Sequence, residues 1–337
     1  MTKIIKELTR ENLKIIKNQI EKNELIIFPT ETVYGIGANA LSKQAVTKIF
    51  EVKERAKNNP LIVHLKNKKE IEKYAIIQND IVRKLIDKFM PGPFTIILKK
   101  KDIIPDCVTA NMNSVGIRIP NNKIAQEILN SVKVPIAAPS ANISSRPSGT
   151  CVEDIISEFD NLVNYIIDGG KSKVGLESTV VKVIDNIPTI LRPGYITYDD
   201  IISTIGKCNI SKGVFNKIEQ TEKVESPGML YKHYAPKTKC LLVYSENIKT
   251  LKKIVKEHIE DKTILLGSNN LKDIECYKFL NYGNNLEEIC HNIFSLLRKA
   301  DTFKANLIII EGVEKEGLGL AIMNRLIRTA NYNYIEK

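Results

Sequence analysis

Apolar runs of strand length alternate with amphipathic helical stretches along the first two hundred residues, and this alternation constrains the fold more than any other feature. Helix-period segments fall near residues 10–22, 42–54, 68–73, 78–89, 121–131 and 151–158. Interleaved with them are "LIIFPT", "PLIVHL", "FTIILKK", "SVGIRIP", "PIAAPSA", "NYIIDGG", "STVVKVI" and "TILRPG", short apolar runs bounded by turn residues. That many strands predict one large, sheet-rich α/β domain over residues 1–205. Residues 206–239 lose the periodicity, are rich in Gly, Ser, Pro and Lys, and read as a connecting loop. From Cys240 the alternation resumes with "CLLVYS", "TILLGS" and "ANLIIIEGV" and helices at 247–260, 286–299 and from 317, which predicts a small parallel α/β domain over 240–337.

No apolar run approaches the roughly 18 residues of a membrane span, and the charged amphipathic start lacks a signal-peptide core. The expectation is a soluble, cytoplasmic protein. Its six cysteines lie far apart without a C-x-x-C pair, so neither a zinc site nor a disulfide framework is indicated. The 50 Lys and Arg against 39 Asp and Glu leave a net charge of +11, which suits nucleotides, phosphates or RNA. A coding bias toward A and T would give the same Lys-rich excess with no function attached.

Polar residues gather where strands end. In the stretch from Phe28 to Leu65, Ser42 is placed to cap a helix whose C-terminal end carries Lys53 and Arg55. Pro60 stops that helix by pushing Asn59 out of helical geometry, and the strand that follows delivers His64 at its end. "PTET" reads as a strand-ending turn, and Gly35 and Gly37 of "YGIG" are expected to serve a tight turn. Arg118 sits among apolar residues and demands an anionic partner or ligand. Ser140, Asn142, Ser148, Glu177, Ser178, Thr179 and Arg192 likewise cluster at strand boundaries. "GLGLAIMNR" follows a strand and opens a helix, a place where helix N-termini can seat a phosphate, but the full glycine fingerprint is missing and a packing role is expected. A cavity lined by Lys, Arg, Ser, Thr and Asn, without a Cys–His pair, a metal cluster or a Walker loop, suits nucleotidyl transfer, which depends on positioning and fixed charge.

The strings "PTETVYGIGANA", the K-x-R at 53–55, "NNPLIVH", "VGIRIP", "APSANISSRPSGT", "GLESTVV", "LRPG" and "SPGMLYKHYAP" closely resemble threonylcarbamoyl-AMP synthase, the long (Sua5) form of the Sua5/YciO/YrdC family. The resemblance spans nearly the whole chain. It implies a YrdC-like twisted-sheet catalytic domain plus a small C-terminal Rossmann-like α/β domain. It also implies L-threonylcarbamoyladenylate synthesis from ATP, L-threonine and bicarbonate with Mg2+ accompanying ATP, the first step of tRNA t6A37 biosynthesis. Carried over residue by residue, Lys53 and Arg55 fall on the catalytic signature. Thr32, His64, Arg118, Ala138 and Ser178 fall on the threonine side. Arg55, Asn59, Ser114, Ser140, Asn142, Ser148, Arg192 and Tyr234 fall on the ATP side. No residue is assigned to a metal. The connector, with His233 and Tyr234, is expected to fold over the cleft as a lid, and hand-off to a threonylcarbamoyl transferase complex and tRNA is a family expectation. Asn39, Phe89–Met90 and "NMNSVGIR" depart from the commoner family residues and leave the reaction class intact.

Two other classes compete. One is an RNA-binding factor using a basic concave surface; the other is a carbamoyl-transfer enzyme that uses carbamoyl phosphate and ignores threonine.

Overall fold

The computed structural model describes residues 1–214, 216, 225–227 and 234–337. Among these, a twelve-stranded sheet occupies the first two thirds of the chain. Its spatial order runs Lys3–Ile5, Tyr165–Ile167, Ile26–Phe28, Gly35–Asn39, Ile136–Ala137, Ile62–His64, Ser114–Arg118, Phe94–Lys100, Thr179–Ile184, Ile187–Arg192 and Asn209–Ile210, with Ala75–Ile76 added beside Phe94–Lys100. Successive residues along a strand face opposite sides and feed two different cores. Ile27, Ile36, Ala38 and Ala137 enter one core, which also receives the apolar faces of the helices Lys43–Val52 and Asp80–Phe89. Ile26, Phe28, Ile136 and Ala138 enter the other, packed against the helices Arg10–Glu21 and Lys123–Ser131.

Three local expectations change. Gly35 and Gly37 lie inside the strand Gly35–Asn39 and make no tight turn. A Cβ on Gly37 would stand 2.7 Å from Phe28 Cε1 and 2.8 Å from Ile136 Cγ2, so the residue is small because neighbouring strands press their side chains onto it. The N-terminus contributes the strand Lys3–Ile5 ahead of its helix, paired in parallel with Tyr165–Ile167, a partner too distant in sequence to leave a periodic signal. Asn209–Ile210, inside the stretch read as connector, pairs with Thr189–Ile190 and extends the sheet past residue 205.

The C-terminal unit is a five-stranded sheet, all parallel, in the order Lys278–Asn281, Thr263–Gly267, Leu307–Glu311, Lys239–Tyr244 and Tyr334–Glu336. The helix Ile248–His258 covers one face through Leu251, Ile254 and Val255. The helices Leu286–Thr302 and Gly317–Thr329 cover the other. The core on this second face continues into the first domain, because Val33, Leu176 and Tyr234 belong to it. "GLGLAIMNR" therefore serves packing: every residue from Gly319 to Thr329 of its helix is buried.

Candidate functional site

Parallel strands Ile62–His64 and Ser114–Arg118 end side by side, with His64 in register with Arg118, so the carboxyl edge of the sheet presents an imidazole beside a guanidinium. A cleft opens there, at the carboxyl ends of the two strands. Of the residues singled out from sequence, Lys53, Arg55, His64, Arg118, Ala138, Ser140, Asn142, Ser178, Arg192 and Tyr234 line it.

The K-x-R spacing has a backbone cause. The helix Lys43–Val52 starts on Ser42, whose hydroxyl accepts from the Ala45 amide, and ends at Lys53. Glu54 takes a left-handed φ of 51°, while the Arg55 amide donates to Phe50 O at 2.9 Å and the Glu54 amide to Glu51 O at 3.1 Å. This Schellman pattern turns the chain sharply after Lys53. Lys53 is no solvated helix end: it is 1% exposed, and its Nζ donates to the carbonyls of Ser140, at 2.6 Å, and Asn142. Burial, with Arg55 beside it, holds the Lys53 ammonium well below its ordinary pKa. Arg55 reaches the turn that follows, donating from Nε to Asn59 O at 3.3 Å and from Nη2 to Pro60 O at 2.9 Å.

The loop after Ile136–Ala137 is braced internally. Ser140 Oγ donates to Asn142 Oδ1 at 2.6 Å, and Asn142 Nδ2 donates to Ile143 O and Arg146 O. Arg192 donates to Ser178 O from Nε and Nη2, to Ser178 Oγ at 3.2 Å, and across to Pro227 O of the connector at 3.1 Å. Burial lowers its pKa to about 10, which leaves it a cation at neutral pH.

At the floor, Arg118 Nη2 pairs with Glu31 Oε1 at 2.8 Å, both side chains buried. The partner that Arg118 required is thus, in this structure, a carboxylate of "PTET". Among the described residues, Arg118 Nε, Glu31 Oε2 and His64 Nδ1 are buried without a hydrogen-bond partner. His64 is pushed down to about 3 by burial and by Arg118, so it is a neutral imidazole at pH 7.

Four sequence candidates lie off the cleft wall. Thr32 is fully buried and bonds Thr30 at 2.8 Å, and Thr30 is the threonine that lines the cleft. Ser148 donates to Glu177 Oε1 at 2.5 Å behind the lining. Asn59 is buried in the turn held by Arg55. Ser114 begins the strand that Arg118 ends and donates to connector residue Glu225 at 2.5 Å, so the structure does not bring it to the cleft. Tyr234 forms part of the wall, stacked on Phe294 at 5.2 Å, while its neighbour His233 lies outside the described residues. Sequence reasoning named no cleft role for Thr30 and Glu31, read only as part of the "PTET" turn, or for Arg325, read only as the end of the packing segment "GLGLAIMNR". The pairing of Arg325 with Glu177 joins residues 148 positions apart, a separation no local pattern encodes.

The fold and the site define a YrdC-like α/β enzyme domain carrying a second, parallel α/β unit. Residues 18–194 match the family described as Telomere recombination (Sua5_yciO_yrdC), and residues 196–331 match the threonylcarbamoyl-AMP synthase C-terminal domain. The threonylcarbamoyl-AMP synthase of Pyrococcus abyssi is 38% identical over 96% of this chain and 95% of its own length. That of Bacillus subtilis is 37% identical over 92% and 90%. A crystal structure of P. abyssi Sua5 complexed with L-threonine superposes with a TM-score of 0.93 at 36% identity, covering 100% of this chain and 99% of that one. The chain belongs to the threonylcarbamoyl-AMP synthase family, in its two-domain Sua5 form.

Proposed function

We infer that the chain is an L-threonylcarbamoyladenylate synthase, converting ATP, L-threonine and bicarbonate into threonylcarbamoyl-AMP and pyrophosphate for tRNA t6A formation. The observation that carries the site assignment is the cleft floor, where buried Arg118 and His64 each keep an unpartnered nitrogen. An amino acid satisfies such a floor. Its carboxylate takes the Arg118 guanidinium, its hydroxyl reaches the Thr30–Thr32 pair and its nitrogen faces outward, toward the nucleotide.

Carbamoylation forms a bond between that nitrogen and the bicarbonate carbon, with loss of water. A carbamate oxygen then attacks the α-phosphorus of ATP, the bond to the bridging oxygen breaks, and pyrophosphate leaves. Arg55 and Arg192 supply fixed positive charge to the phosphates in a partly desolvated cleft. Lys53 acts mainly by holding the Ser140–Asn142 loop, whose carbonyls it binds. Mg2+ enters with the substrate, as MgATP; among the described residues no group of three His, Cys, Asp or Glu side chains is arranged for a metal. The product, a reactive mixed anhydride, calls for a transferase that accepts the threonylcarbamoyl group onto tRNA. No helix among the described residues is long and apolar enough to cross a membrane.

Pyrophosphate release measured with each substrate omitted in turn tests the reading. Release is expected to need ATP, L-threonine and bicarbonate together. Release indifferent to threonine would point to carbamoyl transfer onto another acceptor.

A further inference from the structure

A buried arginine of the C-terminal unit reaches the wall of the cleft. Arg325, on the helix Gly317–Thr329, has no exposed surface. Its Nε donates to Glu177 Oε2 at 3.0 Å, and its Nη1 donates to Pro193 O at 2.7 Å and Asn324 Oδ1 at 3.0 Å. Its guanidinium carbon lies 5.6 Å from the Tyr234 ring centroid, a cation–π distance, and Tyr234 is itself stacked on Phe294 of the same unit. Burial alone would raise the Glu177 carboxyl, but Arg325 and Arg192 beside it hold it below the ordinary carboxylate range.

Glu177 is therefore an anion in the wall of a cleft that must accept a triphosphate, close to a cation that must bind one. No ion pair joins Glu177 to Arg192; the arginine spends its nitrogens on Ser178 O, Ser178 Oγ and Pro227 O, while both oxygens of Glu177 are taken by Ser148 and Arg325. We propose that Arg325 is a positioning residue of the nucleotide side of the cleft: by engaging Glu177 it leaves Arg192 to the phosphates, and it fixes the Tyr234 ring in the wall. This rests on the synthase reading for the identity of the nucleotide. It gives the C-terminal unit a direct part in the cleft, supplied through one side chain.

A residue that only pinned two domains together would weaken everything equally. The proposal instead predicts a selective loss and a rescue. In Arg325→Gln, the released Glu177 carboxylate competes for Arg192, and MgATP affinity read by calorimetry is expected to fall about tenfold or more, while L-threonine affinity changes less than about threefold. Adding Glu177→Gln removes the competing charge, and the double variant is expected to regain most of the lost MgATP affinity. Equal losses for both ligands, or a double variant no better than the single one, would overturn the proposal. Circular dichroism melting identifies a variant that fails to fold. Glu177→Gln alone then decides: MgATP affinity within about threefold of the wild type supports the proposal, and a tenfold loss contradicts it. Because binding is read directly, a wild type that binds MgATP but releases no pyrophosphate would defeat the synthase reading alone; one that binds no MgATP would defeat both.

Discussion

His64 makes the stability of the first domain depend on pH in a way that can be worked out beforehand. The ring is buried, in register with Arg118 and edge-on to Phe28 at 6.3 Å, and its folded pKa lies near 3 against 6.5 for an ordinary histidine. Between those values the unfolded chain binds a proton that the folded chain refuses, so stability falls as pH falls from 6.5 toward 3. From pH 8 to pH 5 the loss from this one group is about 2 kcal/mol, and it is nearly insensitive to the folded value as long as that stays below about 4. The perturbation is His64→Gln, which removes the titration. Urea unfolding at both pH values, followed by far-ultraviolet circular dichroism because the chain has no tryptophan, gives the comparison. The wild type is expected to lose about 2 kcal/mol more than the variant on going to pH 5. Parallel losses in the two proteins would refute the reasoning, since they would mean that His64 charges freely in the folded state.

Two substitutions probe the cleft's framework. Lys53→Met leaves the Ser140 and Asn142 carbonyls without their shared donor, each worth about 1–3 kcal/mol, against the relief of an ammonium no longer buried; a net loss of about 2 kcal/mol in urea unfolding is expected, with activity lost as the loop relaxes. Gly37→Ala places a methyl 2.7 Å from Phe28 Cε1 and should cost about 1–3 kcal/mol, whereas Gly35→Ala meets nothing closer than 3.4 Å and should be tolerated to within about 1 kcal/mol in the same assay.

Elements with strong local periodicity were legible in the sequence. The helix Lys43–Val52 carried its apolar stripe within ten residues and its cap, Ser42, just before them, and the strands Ile62–His64 and Ser114–Arg118 announced themselves as short apolar runs bounded by polar ends. What escaped depended on partners remote in sequence. Gly37 reads as a turn residue in isolation; only the Phe28 and Ile136 side chains pressing on it show that it is a strand residue forced to be small. The burial of Lys53 could not be inferred either, because its acceptors lie 87 and 89 residues away. Arg118 was recognisable as a buried cation needing an anion, yet the sequence offered no means of choosing Glu31. Family strings supplied most of the candidate cleft residues, while the Arg325–Glu177 pair, which links the two domains, required the structure.

In threonylcarbamoyl-AMP synthesis the bicarbonate carbon ends up between the threonine nitrogen and the adenylate. Incubating the purified chain with MgATP, L-threonine and 13C-bicarbonate and analysing the early products by mass spectrometry tests this directly. A threonylcarbamoyl-adenylate one mass unit heavier than with unlabelled bicarbonate is expected, and none when threonine is left out. An adenylate without the label, or AMP and pyrophosphate formed equally without threonine, would contradict it.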